Sequence, residues 1–447
     1  MADLSVDSVL SVDMPQSSRL ATRHVVAVAA GNALEFYDFL IYSYFAVYIG
    51  KVFFPAHGAA AALLMSLATF GAGFLTRPIG AVVIGRMGDR KGRKPAMLLS
   101  FTLMGVAVIG LALTPSYALI GMWAPVLVLF FRLLQGFALG GEVGPSTAFL
   151  IEAAAPDQRG FYTGLQNASQ LAAQLFGGLV GTMLAALLDA QQLQDWGWRL
   201  AMLVGAAVVP FGLFIRRGLP ETLHGGPVAP EPVKTRVRVS KRLVILGLMM
   251  LMAATISTYV GAYMTTYALT TLHMSPTLAF GVTIVKSAVG IPILLLGGWL
   301  SDRLGRKPIM LVPGLLLLIS ILPAFSLITR FPSAAMFYGA NIWLSILGAF
   351  CGASILVTLC ESMPKAIRSG AIAMIYAFAI SIFGGSTQFV LAWLLEVTKD
   401  PLVPAYYWIV ALTVGLIAMA LVQESSPAKL ARRGFALPLQ VGIASGA

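Results

Sequence analysis

Six ionisable residues sit inside otherwise apolar runs of this 447-residue chain: Glu35, Asp38, Arg77, Arg132, Glu142 and Lys286. Charge at the depth of a lipid bilayer is costly and is usually kept only where it has a role. Three cations and three acids allow two readings. In one, they pair across helices and only balance one another. In the other, Arg77, Arg132 and Lys286 receive the carboxylates of a small anion, because a guanidinium presents parallel donors that match a carboxylate. Glu35, Asp38 or Glu142 then carries a proton: a desolvated carboxyl favours its protonated form, and a neighbouring guanidinium opposes this. An anion arriving at the arginine frees the acid to take up its proton, which is coupling by linkage.

Spacing groups these residues further. At about 1.5 Å per residue from the positively flanked helix ends, Glu35 lies roughly 16 Å deep, Arg77 roughly 18 Å and Lys286 roughly 24 Å. The first two are near a bilayer midplane, and Lys286 suits an anion arriving from the opposite side. Asn32, Glu35, Phe39 and Tyr42 recur at helical spacing with Asp38 on the same broad face, and Arg132, Gln135, Leu139 and Glu142 share another. Arg132 and Glu142 are about 15 Å apart along their helix, too far for a direct ion pair. Asn167, Gln170 and Gln174 in one run, and Tyr259, Tyr263, Thr266 and Tyr267 in another, are softer candidates for binding a carboxylate or hydroxyl. Their alternative role is hydrogen bonding between helices.

The elements that position these groups are transmembrane helices. The chain is 58% hydrophobic and 11% charged with a mean hydropathy of +0.86, whereas a soluble domain carries about 25% charged residues. The apolar runs are about twenty residues long, the length that crosses a bilayer as a helix, and lack the short alternation of an outer-membrane barrel. Hydropathy predicts spans at 24–48, 60–86, 95–113, 119–150, 161–188, 198–218, 242–270, 276–300, 308–329, 334–362, 370–397 and 402–424. Residues 1–23 read as a tail, 24–218 as a first six-helix bundle, 219–241 as an exposed Pro- and Lys/Arg-rich linker, 242–424 as a second bundle and 425–447 as a tail.

The net charge of +12 is sorted by side rather than gathered on a soluble basic face, which argues against a nucleic-acid partner. With both termini on one side, 23 of the 30 Lys and Arg fall there, and the other side holds Lys51, Arg199, Arg330 and Lys399. Both termini are therefore expected in the cytoplasm. The tail carries Asp3, Asp7 and Asp13 and no apolar core, so it does not read as a signal peptide. Cys351 and Cys360 lie in one apolar run, and His24, His57, His224 and His273 lack metal-ligand spacing. No phosphate-binding glycine loop is present either. An enzyme, a metal or another cofactor is not expected.

The halves repeat. Gly85-Arg86-Met87-Gly88-Asp89-Arg90-Lys91-Gly92-Arg93-Lys94-Pro95 recurs 213 residues later as Gly298-Trp299-Leu300-Ser301-Asp302-Arg303-Leu304-Gly305-Arg306-Lys307-Pro308, and Glu152 precedes Arg159 as Glu361 precedes Arg368. The fold class is an all-α membrane protein: twelve transmembrane helices in two pseudo-symmetric six-helix bundles.

The doubled G-x-x-x-D-R-x-G-R-K loop resembles the signature of the major facilitator superfamily of secondary transporters. Gly31-Asn32-Ala33-Leu34-Glu35-Phe36-Tyr37-Asp38-Phe39, Arg77-Pro78-Ile79-Gly80, Arg132-Leu133-Leu134-Gln135-Gly136, Gly140-Gly141-Glu142, Trp196-Gly197-Trp198-Arg199 and Phe383-Gly384-Gly385 are similar to its metabolite:proton symporters. Within that group the chain is most similar to citrate and tricarballylate symporters. Pro145 and Gln388 depart from the group's pattern, standing where Gly and Pro are usual. The resemblance implies an alternating-access importer of a small carboxylate in the inner membrane of a bacterial-type cell, acting as a monomer. It also implies that Asp89, Arg90, Arg93, Asp302, Arg303 and Arg306 latch the cytoplasmic face, with Glu152 and Glu361 as partners. The alternatives are a symporter for 2-oxoglutarate or another dicarboxylate, one for proline or betaine, and a non-transporting membrane sensor. Residues 424–447 lack the sustained heptads of a coiled coil, which some osmolyte symporters of the group carry.

Overall fold

The computed structural model describes residues 22–55, 58–91, 93–140, 154–155, 157–206, 240–363, 368–427 and 429, apart from some side chains that include Glu35, Asp89, Arg90 and Arg93. Glu142, Glu152, nearly all of the expected linker and most of both expected tails lie outside the described residues. The first span runs Thr22–Tyr44 and, after a break at Phe45, Ala46–Phe53. The second is Ala59–Ala72 with Arg77–Lys91, the third Arg93–Leu113, the fourth Trp123–Leu139 and the fifth Arg159–Leu187. Residues 198–206 of the sixth are helical. The seventh is Lys241–Thr270, the eighth Pro276–Leu304, the ninth Arg306–Arg330 and the tenth Ala334–Gly352 with Ile355–Ser362. The eleventh is Arg368–Ala379 with Gly385–Thr398, and the twelfth Val403–Leu421. Among the described residues, eight helices are individually long and apolar enough to cross a membrane, and the third and fourth spans add shorter apolar helices.

Two apolar cores hold the helices, and each draws mainly on one set of six. One is built around Phe39, Phe45, Phe70, Phe74 and Trp198 and takes in Tyr259 and Phe280 from the second set; the other is built around Met250, Tyr267, Phe325, Phe337 and Leu412 and takes in Leu63 and Leu67 from the first. Small residues decide which backbones meet. Gly73, Gly80, Gly136 and Gly140 seat the second span on the fourth so closely that an added Cβ at any of them would strike a main-chain oxygen. That contact draws Arg77 and Arg132 together. Along the seam between the sets, Gly160 lies on Gly298, Gly164 on Leu294, Gly178 on Ile284 and Gly181 on Phe280, so the fifth and eighth spans touch from end to end.

Besides the breaks in the first and tenth spans, two helices are interrupted where they face each other. Residues 73–76 form turns in the second span, and Ile380–Gly384 is a π-helical segment in the eleventh. Such breaks persist in a bilayer where neighbours satisfy the freed backbone groups. At the second-span break the eleventh span takes part: the Ser381 hydroxyl donates to the Phe74 carbonyl at 2.9 Å, and Gly71 packs against the Gly385 backbone. Ser43 Oγ donates to Gln388 Oε1 at 2.8 Å nearby, joining the first span to the eleventh. Toward the end of the seam away from the loop motif, the rings of Phe45 and Phe280 meet at 4.8 Å. The two sets therefore touch at both ends of the seam.

Candidate functional site

Between the sets lies a cavity of about 250 Å³. Its first-half wall is Phe36 with Asn167, Gln170 and Gln174, spaced so that one face of the fifth span lines it. Its second-half wall includes Tyr259, Lys286, Asn341, Ser345 and Tyr376. Lys286 is the cation at this cavity; its Nζ donates to the Gly261 carbonyl at 2.7 Å, and Ser345 Oγ donates to the Lys286 carbonyl. Of the residues read from the sequence, Asn167, Gln170, Gln174, Tyr259 and Lys286 are thus brought to one cavity.

Arg77 and Arg132 lie beside it under an aromatic layer. The Arg77 guanidinium carbon is 4.4 Å from the ring centres of both Phe39 and Phe74. That of Arg132 is 4.5 Å from Phe39 and Tyr42 and 4.9 Å from Phe70. Tyr259, from the other half, caps this layer edge-on against Phe70 and Phe74. Ring faces attract cations but do not neutralise them. Among the described residues, no carboxylate forms an ion pair with Arg77, Arg132 or Lys286.

Asp38 is buried with one carboxyl oxygen unpartnered, facing Gly205 of the sixth span, where a Cβ would collide with it. Other polar groups of the first-span face are occupied. Asn32 Nδ2 donates to Ser169 Oγ at 2.8 Å, and the Tyr42 hydroxyl donates to the Ser66 carbonyl at 3.3 Å. Gln135 joins Arg132 to the main chain of Asp38. Tyr263 is packed within the second-half core.

At the loop-motif face, Gly305 at φ 103° ends the eighth span in a conformation that favours glycine, and the ninth begins one residue later. That turn folds Arg306 back onto Asp302 at 2.7 Å and onto Glu361, whose oxygens accept from its Nη2 and Nε at 3.0 and 3.1 Å. The Asp302 carboxylate also accepts the N–H groups of Gly160 and Phe161 at 2.9 and 3.0 Å, capping the fifth span across the seam. Arg303 stands apart, stacked on Trp299 at 3.9 Å. Glu424, not singled out from sequence, accepts the N–H groups of Arg306 and Lys307. Tyr376 and the Ser43–Gln388 contact were likewise unread, because no spacing pattern links residues so distant in the chain.

Twelve spans in two repeated sets around a central cavity define a multi-pass membrane protein with the architecture of an alternating-access carrier. The sequence profile of the Major Facilitator Superfamily matches residues 28–387, and the chain belongs to that family. It is 35% identical over 411 residues to a citrate-proton symporter of Klebsiella pneumoniae, covering 91% of this chain and 93% of that one. It is 32% identical over 391 residues to an alpha-ketoglutarate permease of Escherichia coli K12, covering 87% and 90%. A structure of the E. coli xylose transporter, in a partially occluded inward-open conformation, superposes with a TM-score of 0.70 at 17% identity over 90% of this chain and 98% of that one.

Proposed function

We propose that the protein is a proton-coupled importer of small carboxylates, with citrate or a related tricarboxylate as its cargo, working by alternating access. The observation that carries this is the set of three buried cations at the seam, Arg77, Arg132 and Lys286, that no described acid neutralises. Such charges are stable in a bilayer only with a partner, and an anionic cargo supplies one. The names of the relatives support the same class of cargo. In this reading both termini face the cytoplasm, the protein acts as a monomer in the inner membrane, and the Asp302 network is the cytoplasmic gate. Asp38, with Glu35 and Glu142, supplies the proton sites. Asn167, Gln170 and Tyr259 hold the cargo's remaining oxygens.

Coupling to protons has an energetic motive. Each negative charge carried inward costs about 2.3 kcal/mol per 100 mV of inside-negative potential, and co-transported protons offset that cost. The test is uptake of labelled citrate into proteoliposomes with and without an inward proton gradient, with tricarballylate, 2-oxoglutarate and betaine as competitors. Gradient-driven uptake blocked by tricarballylate is the expected result. Transport of betaine alone would retire the carboxylate assignment.

Lys286 gives a narrower expectation. A hydrogen bond to a charged group contributes about 1.5–3 kcal/mol, so Lys286→Gln should raise the KM for citrate by about 10- to 100-fold. Lys286→Arg, which keeps the charge, should lie closer to wild type. An unchanged KM in the glutamine variant would remove Lys286 from the site.

A further inference from the structure

Where the first span breaks at Phe45, it touches two spans of the other set. The Phe45 ring meets Phe280 of the eighth span at 4.8 Å, and two residues earlier Ser43 Oγ donates to Gln388 Oε1 of the eleventh at 2.8 Å. The eleventh span starts at Arg368 on the loop-motif face, and at about 1.5 Å per residue Gln388 lies roughly 30 Å from there. Both contacts therefore close the opposite end of the seam. The surroundings are apolar: Ala46 and Leu67 of the first set share a core with Leu391 and Ala392 of the eleventh span. Ser43 and Gln388 are buried, yet the amide is only half engaged. It has one acceptor oxygen and two N–H donors, and among the described residues its Nε2 has no partner. A buried donor left unpaired costs more than one neutral hydrogen bond contributes. Gln388 therefore aligns this closure but weakens it, because water reaches the idle N–H groups once the two sets part.

We propose that Ser43 and Gln388 form a water-opened latch. Their hydrogen bond seats the closed end of the seam, and the idle donors keep that closure reversible, so that the cargo-free protein populates a state open on this side. That this end faces outside rests on the orientation given above; the latch itself does not depend on which cargo is carried.

The two partners should then act in opposite directions. Gln388→Met keeps length and removes the idle donors, and Ser43 can turn its hydroxyl to a carbonyl one helical turn back. The closed end should gain by about 3- to 30-fold. Ser43→Ala instead strands both ends of the amide, and the open state should gain by about 5- to 100-fold. Spin labels at Lys51 and Glu396, exposed residues of opposite sets, read the distance across this end without cargo. Longer distances should be depleted in Gln388→Met and enriched in Ser43→Ala. The KM for external citrate should rise in the first and fall in the second. The double variant has no idle polar group and should follow Gln388→Met, which keeps the test decisive where Ser43→Ala alone fails to fold. Shifts in one direction, an unchanged distribution in Gln388→Met, or a double variant that opens overturns the latch. Opposed shifts in a protein that takes up no carboxylate leave the latch standing and overturn the functional reading.

Discussion

Arg132→Ala is expected to abolish citrate uptake while leaving the folded protein as stable as wild type or more so. Truncating one partner of a buried charge contact typically costs about 2–5 kcal/mol, which corresponds to roughly 30-fold to several-thousand-fold in binding at about 1.4 kcal/mol per tenfold. Stability should move the other way. Arg132 is fully buried, and its neighbours are the rings of Phe39, Tyr42 and Phe70, the Gln135 amide and one backbone carbonyl. Removing it strands no described carboxylate and lifts the cost of holding a cation out of water. Such a split between activity and stability is the mark of a residue kept for function. Uptake and the thermal unfolding midpoint in detergent, measured on one preparation, check both halves of the expectation. A fall in the midpoint of many degrees would mean that Arg132 holds the bundle together. Arg132→Lys separates charge from shape: it should restore only part of the uptake, because an ammonium cannot present a guanidinium's fork of donors.

The parts of this arrangement that repeat in the sequence were legible in it. The doubled loop motif located Asp302 and Arg306, the repeated Glu–Arg spacing located Glu361, and the structure joins the three in one buried network. Helical spacing put Asn167 and Gln170 on one face, which lines the cavity. Spacing does not say what stands opposite a face. Asn32 and Tyr42 have the pattern of cavity residues, yet their polar atoms meet Ser169 and Ser66 within the first half. Their register against the second and fifth spans depends on packing, not on their own periodicity. The paired breaks at 73–76 and Ile380–Gly384 were illegible for a related reason. They meet through Ser381, whose hydroxyl donates to the Phe74 carbonyl 307 residues away in the chain. Gly385 meets its partner Gly71 from more than 300 residues away in the chain.

Asp302 and Arg306 should separate by phenotype although they touch. Among the described residues, Asp302 is the member of the network whose carboxylate crosses the seam, onto the N–H groups of Gly160 and Phe161 at the start of the fifth span. Asp302→Ala removes that cap but leaves Arg306 paired with Glu361. The expected effect is conformational: loss of a contact worth about 1–3 kcal/mol shifts a two-state equilibrium by roughly 5- to 150-fold, toward the state in which this face is open. Spin labels at Asp157 and Arg303, both exposed and on opposite sides of the seam, would report a longer distance in the variant, with slower turnover. An unchanged distance distribution would deny the contact a role in closing the face. Arg306→Ala is a different kind of loss. The side chain is fully buried between Asp302 and Glu361, so its removal leaves two buried acids without their cation, at a cost of about 3–5 kcal/mol. That deficit falls inside one half instead of across the seam. It should therefore appear as a lower unfolding midpoint and reduced yield of folded protein, and a second change, Glu361→Gln, should recover part of both by removing one of the stranded charges.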